Sequence, residues 1–183
     1  MKIHQITFSP TGGTRRVSEL LCKGIVADSN LTEICTKQGN LKYLIINADD
    51  LVVISMPVYA GRVPALAVER LKDIKANGAK CAIVPVYGNS ICRMYGAGRP
   101  DDEDAKVLAS FGSYILNKVK TQQPFVPLVL PGNRPYKQGC SGPYPVANDD
   151  CTECGTCVSE CPTGAISLQN PKANNQELCI GCM

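Results

Sequence analysis

Ile3-His4-Gln5-Ile6-Thr7-Phe8-Ser9-Pro10-Thr11-Gly12-Gly13-Thr14 sits near the start of the chain, and it reads as a strand emptying into a glycine loop. From Arg15 to Asp28 the apolar residues Val17, Leu20, Leu21 and Ile25 recur at helical spacing, so a helix follows the loop. Strand, glycine loop and helix, in that order, is what a phosphate site requires. Glycines let the backbone approach an anion, successive N–H groups form a nest, and the helix N-terminus adds partial positive charge. The loop carries no Lys after its second Gly, as a P-loop would, and it lacks the G-x-G-x-x-G fingerprint of dinucleotide sites. Hydroxyls and N–H groups without a cation suit a singly esterified phosphate such as that of FMN. The competing reading is a glycine-rich turn with a helix cap.

The next strand-like segments extend this pattern. Leu31–Thr36 is a weak second strand, and Asp50–Ser55 is a continuous apolar run of the kind covered on both faces of a parallel sheet. Pro64 opens a helix with an apolar face of Ala65, Leu66, Val68, Leu71 and Ile74, stopping at Asn77-Gly78. Cys81–Val86 is a further strand. Asp101–Lys120 reads as a helix with Val107, Leu108, Phe111, Ile115 and Val119 along one face, and its acid run Asp101–Asp104 is helix-end charge rather than a metal site. The fold class implied is α/β with a parallel sheet.

At the other end stands Cys151-Thr152-Glu153-Cys154-Gly155-Thr156-Cys157-Val158-Ser159-Glu160-Cys161-Pro162, followed by Cys179-Ile180-Gly181-Cys182. C-x2-C-x2-C-x3-C-P is the run with which bacterial ferredoxins hold cubane iron–sulfur clusters. The short spacers turn three thiolates toward one cluster, while the fourth cysteine, before a proline, ligates the neighbouring cluster. Cys151, Cys154 and Cys157 therefore go to one cluster and Cys161, Cys179 and Cys182 to the other. Disulfides do not suit a chain that opens on a strand-like segment rather than a secretory leader. Structural zinc, which pairs two C-x2-C knuckles, is the remaining alternative.

Composition frames both motifs. The 183 residues suffice for one ordinary domain and a small module. No apolar run reaches membrane-spanning length, and a soluble, cytoplasmic protein is expected. The net charge is +3. It hides an asymmetry, because residues 147–183 hold five acids against Lys172 alone. Opposite signs would favour docking between the two parts or with a charged redox partner, although ordinary solvated surface charge explains them as well. Aromatic content of 5%, with no interleaved basic run, leaves no nucleic-acid footprint. With one His and no Ser/His/Asp or Cys/His set, nucleophilic catalysis has no visible machinery.

Ser9-x-Thr11-Gly12-x-Thr14 resembles the phosphate loop of flavodoxins. A flavodoxin-like domain followed by a two-cluster ferredoxin-like domain resembles the flavodoxin–ferredoxin fusion family of anaerobic bacteria and archaea. The resemblance continues through Met56-Pro57-Val58-Tyr59-Ala60-Gly61-Arg62-Val63-Pro64, Val86-Tyr87-Gly88-Asn89, Gly98–Asp104 and Pro131–Tyr136, in family order. It implies an FMN-binding electron carrier or reductase. On this resemblance the FMN site comprises Ser9, Thr11, Gly12, Gly13 and Thr14 at the phosphate, and Pro57, Val58, Tyr59, Ala60 and Gly61 beside the flavin. Tyr87, Gly88 and Asn89 form its second wall. Tyr59 is the stacking candidate, Gly61 the peptide facing the flavin N5, and Arg62 a cation for the reduced ring.

The chain departs from that family in two places. Only Ile91–Ala97 stands where a helix and a fifth strand would come, so the flavodoxin-like sheet lacks one helix and its fifth strand, unless Phe125–Leu130 covers the edge. Two cubane clusters need eight cysteines, whereas six of the eleven fall in the ferredoxin-like segment, and a truncation after Met183 is expected. Cys22, Cys35, Cys81, Cys92 and Cys140 read as plain reduced residues of the kind proteins bury. The expected domains are 1–120 flavodoxin-like, 121–147 a proline-rich linker, and 148–183 a partial two-cluster ferredoxin-like module of α+β type. The function expected is electron transfer between FMN and [4Fe-4S] clusters, with a redox partner protein or a low-potential donor or acceptor. The alternatives are an FMN-dependent NAD(P)H oxidoreductase and a non-redox protein with a structural zinc module.

Overall fold

Ile3–Thr7 forms β1 and is buried at all five positions. Leu51–Val58 forms β3 and is buried at seven of its eight. Continuous apolar runs of this kind belong at the centre of a sheet covered on both faces, and there the computed structural model places them. It describes residues 1–26, 29–35, 44–59, 61–87, 98–121 and 144–182. Asn30–Glu33 (β2) and Lys80–Tyr87 (β4) flank the central pair in the order β2-β1-β3-β4. Every pairing is parallel, with Ile6 opposite both Thr32 and Ile54. This is the doubly wound, flavodoxin-like strand order without its fifth strand among the described residues.

Helices cover the two faces. On one, α1 (Gly13–Lys23) and α3 (Asp102–Lys120) enclose Ile3, Leu21, Cys22, Ile25, Leu51 and Val53. On the other, α2 (Ala65–Leu71) and the neighbouring loops enclose Ile6, Phe8, Ile34, Ile46, Val52, Met56 and Ala67. The alternation of residues 3 and 6 between the two clusters is the two-residue period of β1 at work. Full burial of side chains such as Ile6 and Phe8 contributes about 1.5–3 kcal/mol each. Helices α1 and α3 meet through Gly24 and Gly112, where a Cβ on either would overlap backbone of Ala109 or Leu21.

Several boundaries differ from the sequence expectation. Met56, Pro57 and Val58 belong to β3 rather than to the loop after it. β1 ends its pairing at Thr7 opposite Ser55, so beyond that point β3 has a partner only on the β4 side and tolerates a proline. Helix α2 stops at Leu71, short of Ile74. Helix α3 begins as expected, with Asp101 accepting from the Glu103 and Asp104 N–H groups and Asp104 returning a bond to the Asp101 N–H, a capping box. Val107 and Phe111 do not join its core face and are 50% and 57% exposed, because Gly112, Leu108, Ile115 and Val119 turn toward α1 and the sheet instead. Phe125–Leu130, Ile91–Ala97 and most of the linker lie outside the described residues. None of the helices among the described residues is long and apolar enough to cross a membrane.

The cysteine segment carries one short helix, α4 (Thr156–Glu160), and an isolated antiparallel bridge between Ile166 and Asn174. It is not separate from the α/β core. Ile180 packs on the cluster formed by Ile6, Phe8 and Ile34.

Candidate metal centre and phosphate loop

The described site residues predicted after β1, β3 and β4 stand at the carboxyl ends of those strands, where ligands of open parallel sheets bind. After β1, the chain turns so that the Gly12 N–H donates to the Ser9 carbonyl at 3.2 Å, and the Arg15 N–H donates to Ser9 Oγ at 2.9 Å. Gly12 has φ of +82°, a left-handed conformation that glycine adopts without cost, and it caps α1. A Cβ added at Gly12 or Gly13 meets nothing within 4 Å, so open space lies in front of the helix N-terminus. The first turn of α1 holds no acidic residue. Ser9 and Thr14 are buried, whereas Thr11, Gly12 and Gly13 are exposed. An anion at this place would meet the positive end of the α1 dipole with no acidic residue of the first turn against it.

After β3, Tyr59 and Arg62 close a tight turn through two backbone bonds of 2.9 and 3.0 Å, with Gly61 at φ +81° between them. Pro57 and Val58 are buried in β3 itself, and Tyr59 is half-buried. Burial holds the Tyr59 hydroxyl well above the usual phenol range, reinforced by the charge of Cys182 and then Cys35 when those thiols ionise. Tyr59 therefore lies within electrostatic reach of Cys182 and Cys35. Tyr87, at the end of β4, is 74% exposed. Ala60, Gly88 and Asn89 lie outside the described residues.

The six predicted metal-ligating cysteines divide by surroundings. Cys154 and Cys157 are exposed; Cys151, Cys161, Cys179 and Cys182 are partly buried. Threonine hydroxyls stand two residues after two of them: Cys154 Sγ lies 3.4 Å from Thr156 Oγ1, and Cys161 Sγ lies 3.4 Å from Thr163 Oγ1. The Ala165 N–H donates to Cys161 Sγ at 3.2 Å. The Thr156 hydrogen bond draws the Cys154 thiol below its ordinary value. For Cys161 burial pushes the thiol up, and hydrogen bonds from Thr163, Ala165 and Ile166 together outweigh it, leaving a lowered pKa. Thiolates, rather than thiols, bind metal. At Cys182 burial wins and the thiol is raised, with the neighbouring Cys161 charge adding to the effect.

Cys157, Cys161, Cys179 and Cys182 line one cavity of ≈ 220 Å³ together with Pro10 and Thr11 of the phosphate loop. That cavity contains the whole set Cys161, Cys179 and Cys182 expected for one cluster. Among the described residues no three His, Cys, Asp or Glu side chains converge on a single ion. A cubane takes its thiolates at separate corners and so keeps them further apart than a lone zinc does. With the Ala165 N–H donating to Cys161 Sγ, the Thr163 hydroxyl beside it and a cavity lined by four thiols, the residues present fit a cluster.

Residues 144–167 match the family model of the 4Fe-4S binding domain. A 4Fe-4S binding segment is thus joined to a flavodoxin-like α/β fold, a combination that suggests electron transfer. Among solved structures, oxidised flavodoxin 2 from Bacillus cereus is similar over 64% of this chain and 99% of its own, with 16% identity and a TM-score of 0.45. A short-chain flavodoxin associated with a non-canonical PDU bacterial microcompartment is similar over 65% and 99%, with 14% identity and a TM-score of 0.38. A flavodoxin from the domain Archaea covers 66% and 99%, with 14% identity and a TM-score of 0.35. No curated protein matches the chain.

Sequence reasoning missed four participants, Cys35, Thr156, Thr163 and Arg70. Cys35, expected to be an inert buried thiol, accepts the Ser9 N–H at 2.7 Å through its Sγ and lies within electrostatic reach of Cys182. Cys22 is buried as expected, its thiol pushed up to about 12 by desolvation, but Cys81 is exposed on the β4 edge. Cys92 and Cys140 lie outside the described residues. The hydroxyls of Thr156 and Thr163 carried a readable signal, the C-x-T offset repeated at Cys154 and Cys161. Arg70 carried none, since its contacts depend on segments far away in sequence.

Proposed function

We propose that this protein transfers electrons between FMN and [4Fe-4S] clusters. The observation that carries the reading is the shared cavity, lined both by Pro10 and Thr11 of the phosphate loop and by Cys157, Cys161, Cys179 and Cys182. Ser9, Thr11, Gly12, Gly13 and Thr14 would hold the FMN phosphate at the start of α1. Pro57–Gly61 and Tyr87–Asn89 would wall the flavin. Cys151, Cys154 and Cys157 would bind one cluster and Cys161, Cys179 and Cys182 the other, following the crossed ligation rule, each set supplying three of the four thiolates a cubane takes. FMN supplies two-electron capacity and each cluster moves one electron at a time. The chain's own contribution is placement and electrostatic environment. The division into 1–120, 121–147 and 148–183 follows this assignment, and the electrons pass to or from a redox partner.

Anaerobic reconstitution of the 183-residue chain tests the reading. Bound FMN, seen as quenched flavin fluorescence, together with iron and acid-labile sulfide, is the expected result. Zinc without iron, or a chain that takes up neither FMN nor iron, would sink it.

A further inference from the structure

Arg70 lies in the last turn of α2, and its guanidinium reaches across to the cysteine segment. Nη2 donates to the Pro162 carbonyl at 3.0 Å, while Nη1 donates to the carbonyls of Ile34 and Cys35. The same group stands 5.9 Å from the centroid of the Phe8 ring, a fully buried side chain. A planar fork with fixed donors is suited to bridging such carbonyls, and stacking on an aromatic face restrains it further. No carboxylate forms an ion pair with Arg70 among the described residues. Its charge is permanent under ordinary conditions. A fixed, partly buried cation is thus bonded to the residue that follows Cys161.

We propose that Arg70 is a positioning residue that docks the Cys161–Pro162 turn on the α/β core and makes the cluster at Cys161, Cys179 and Cys182 easier to reduce than that at Cys151, Cys154 and Cys157. The proposal rests on the electron-transfer reading above. A cluster gains negative charge when reduced, so a nearby cation favours its reduced form, and it does so most where water is excluded. Of Cys151, Cys154 and Cys157 the latter two are solvent-exposed and Cys151 is partly buried, whereas Cys161, Cys179 and Cys182 are all partly buried. Ile180, between Cys179 and Cys182, packs on the same core cluster as Phe8 and Ile34. The cation thus acts at the inner half-site in partly buried surroundings that screen it little, and electrons would collect there, against the phosphate loop.

The test is a redox titration followed by electron paramagnetic resonance on the anaerobically reconstituted full chain, comparing wild type, R70K and R70M. In R70M one of two cluster signals should move to lower potential while the other stays. A change of about tenfold in the ratio of reduced to oxidised cluster, equivalent to ~59 mV for one electron, is the expected size. R70K keeps the charge and should restore most of the shift, but it reaches fewer carbonyls, so amide hydrogen exchange across residues 156–166 should quicken. Unchanged potentials in R70M at unchanged iron content overturn the proposal. If R70M holds no iron, R70K decides: faster exchange at 156–166 with wild-type potential supports it, and wild-type exchange overturns it. Wild-type protein lacking iron and sulfide overturns both this proposal and the reading beneath it, whereas a wild type with two signals and an inert Arg70 overturns this proposal alone.

Discussion

His4 Nε2 lies 3.3 Å from Asp50 Oδ2, and both side chains are only 4% exposed. Asp50 also accepts the Lys2 N–H at 2.6 Å and the Asn47 N–H at 3.0 Å, so one carboxylate ties the start of β1 to the turn that leads into β3. This joint lies at the amino ends of the strands, away from the cysteine cavity, and its role is to hold the two central strands in register. The Lys2 and Asn47 N–H bonds, the first of them strongest, hold the Asp50 carboxyl well below the usual carboxylate range. A depressed pKa contributes stability that is present above the unfolded value of about 3.9 and is lost as pH falls below it. D50N should therefore lower the urea midpoint at pH 7. The gap between wild type and D50N should narrow as pH is taken below about 4; a gap that stayed constant down to pH 3 would contradict the assignment.

Gly24, which caps α1, and Gly112 of α3 lie where the two helices pack backbone to backbone. Since a Cβ at Gly112 would overlap the Leu21 carbonyl, G112A forces the helices apart despite the better helix propensity of alanine. Overpacking of this sort costs about 1–3 kcal/mol. Chemical denaturation should show that loss in G112A. The exposed neighbour Phe111 serves as a control, and F111A should change stability by less than about 1 kcal/mol.

The parts of this molecule legible in its sequence are those whose causes are local. β1 and β3 announce themselves because strands buried on both faces must be apolar throughout, and Gly12 is visible because only glycine suits its φ of +82°. The cysteine spacing is legible for the same reason, since a single loop must aim three thiolates. The end of β3 was harder to place. Pro57 reads as a strand breaker, and only the shorter partner β1 makes it acceptable. Arg70 and Cys35 were illegible because their meaning comes from Pro162, Ser9 and Cys182, which folding alone brings near. Val107 and Phe111 show the converse, apolar residues at helical spacing that the glycine contact turns outward.

Cysteine substitutions separate ligands from bystanders. C161S removes a partly buried thiol that the Ala165 N–H and the Thr163 hydroxyl hold in its lowered-pKa state. It should cut iron bound per chain and abolish one of the two cluster signals. C81S, on the exposed β4 edge, should leave iron content at the wild-type level. Equal iron in both variants would remove Cys161 from the ligand set.

The phosphate loop offers the sharpest separation of binding from folding. Gly12 must hold φ near +82°, so G12A meets backbone strain of about 1 kcal/mol although open space surrounds the added methyl. Relief of that strain would tilt the loop and turn the first N–H groups of α1 away from the phosphate. Gly13 lies just inside α1 and has equal space, but its backbone has no need of positive φ. Hence G12A should weaken FMN binding by about tenfold, roughly the 1.4 kcal/mol equivalent of one misdirected charged hydrogen bond. G13A should fold at least as well as wild type and weaken FMN less, since alanine favours the helix. Fluorescence titration of apoprotein with FMN, paired with denaturation of the same samples, reads both quantities. If G13A weakened FMN more than G12A did, crowding by the methyl rather than loop direction would govern the site.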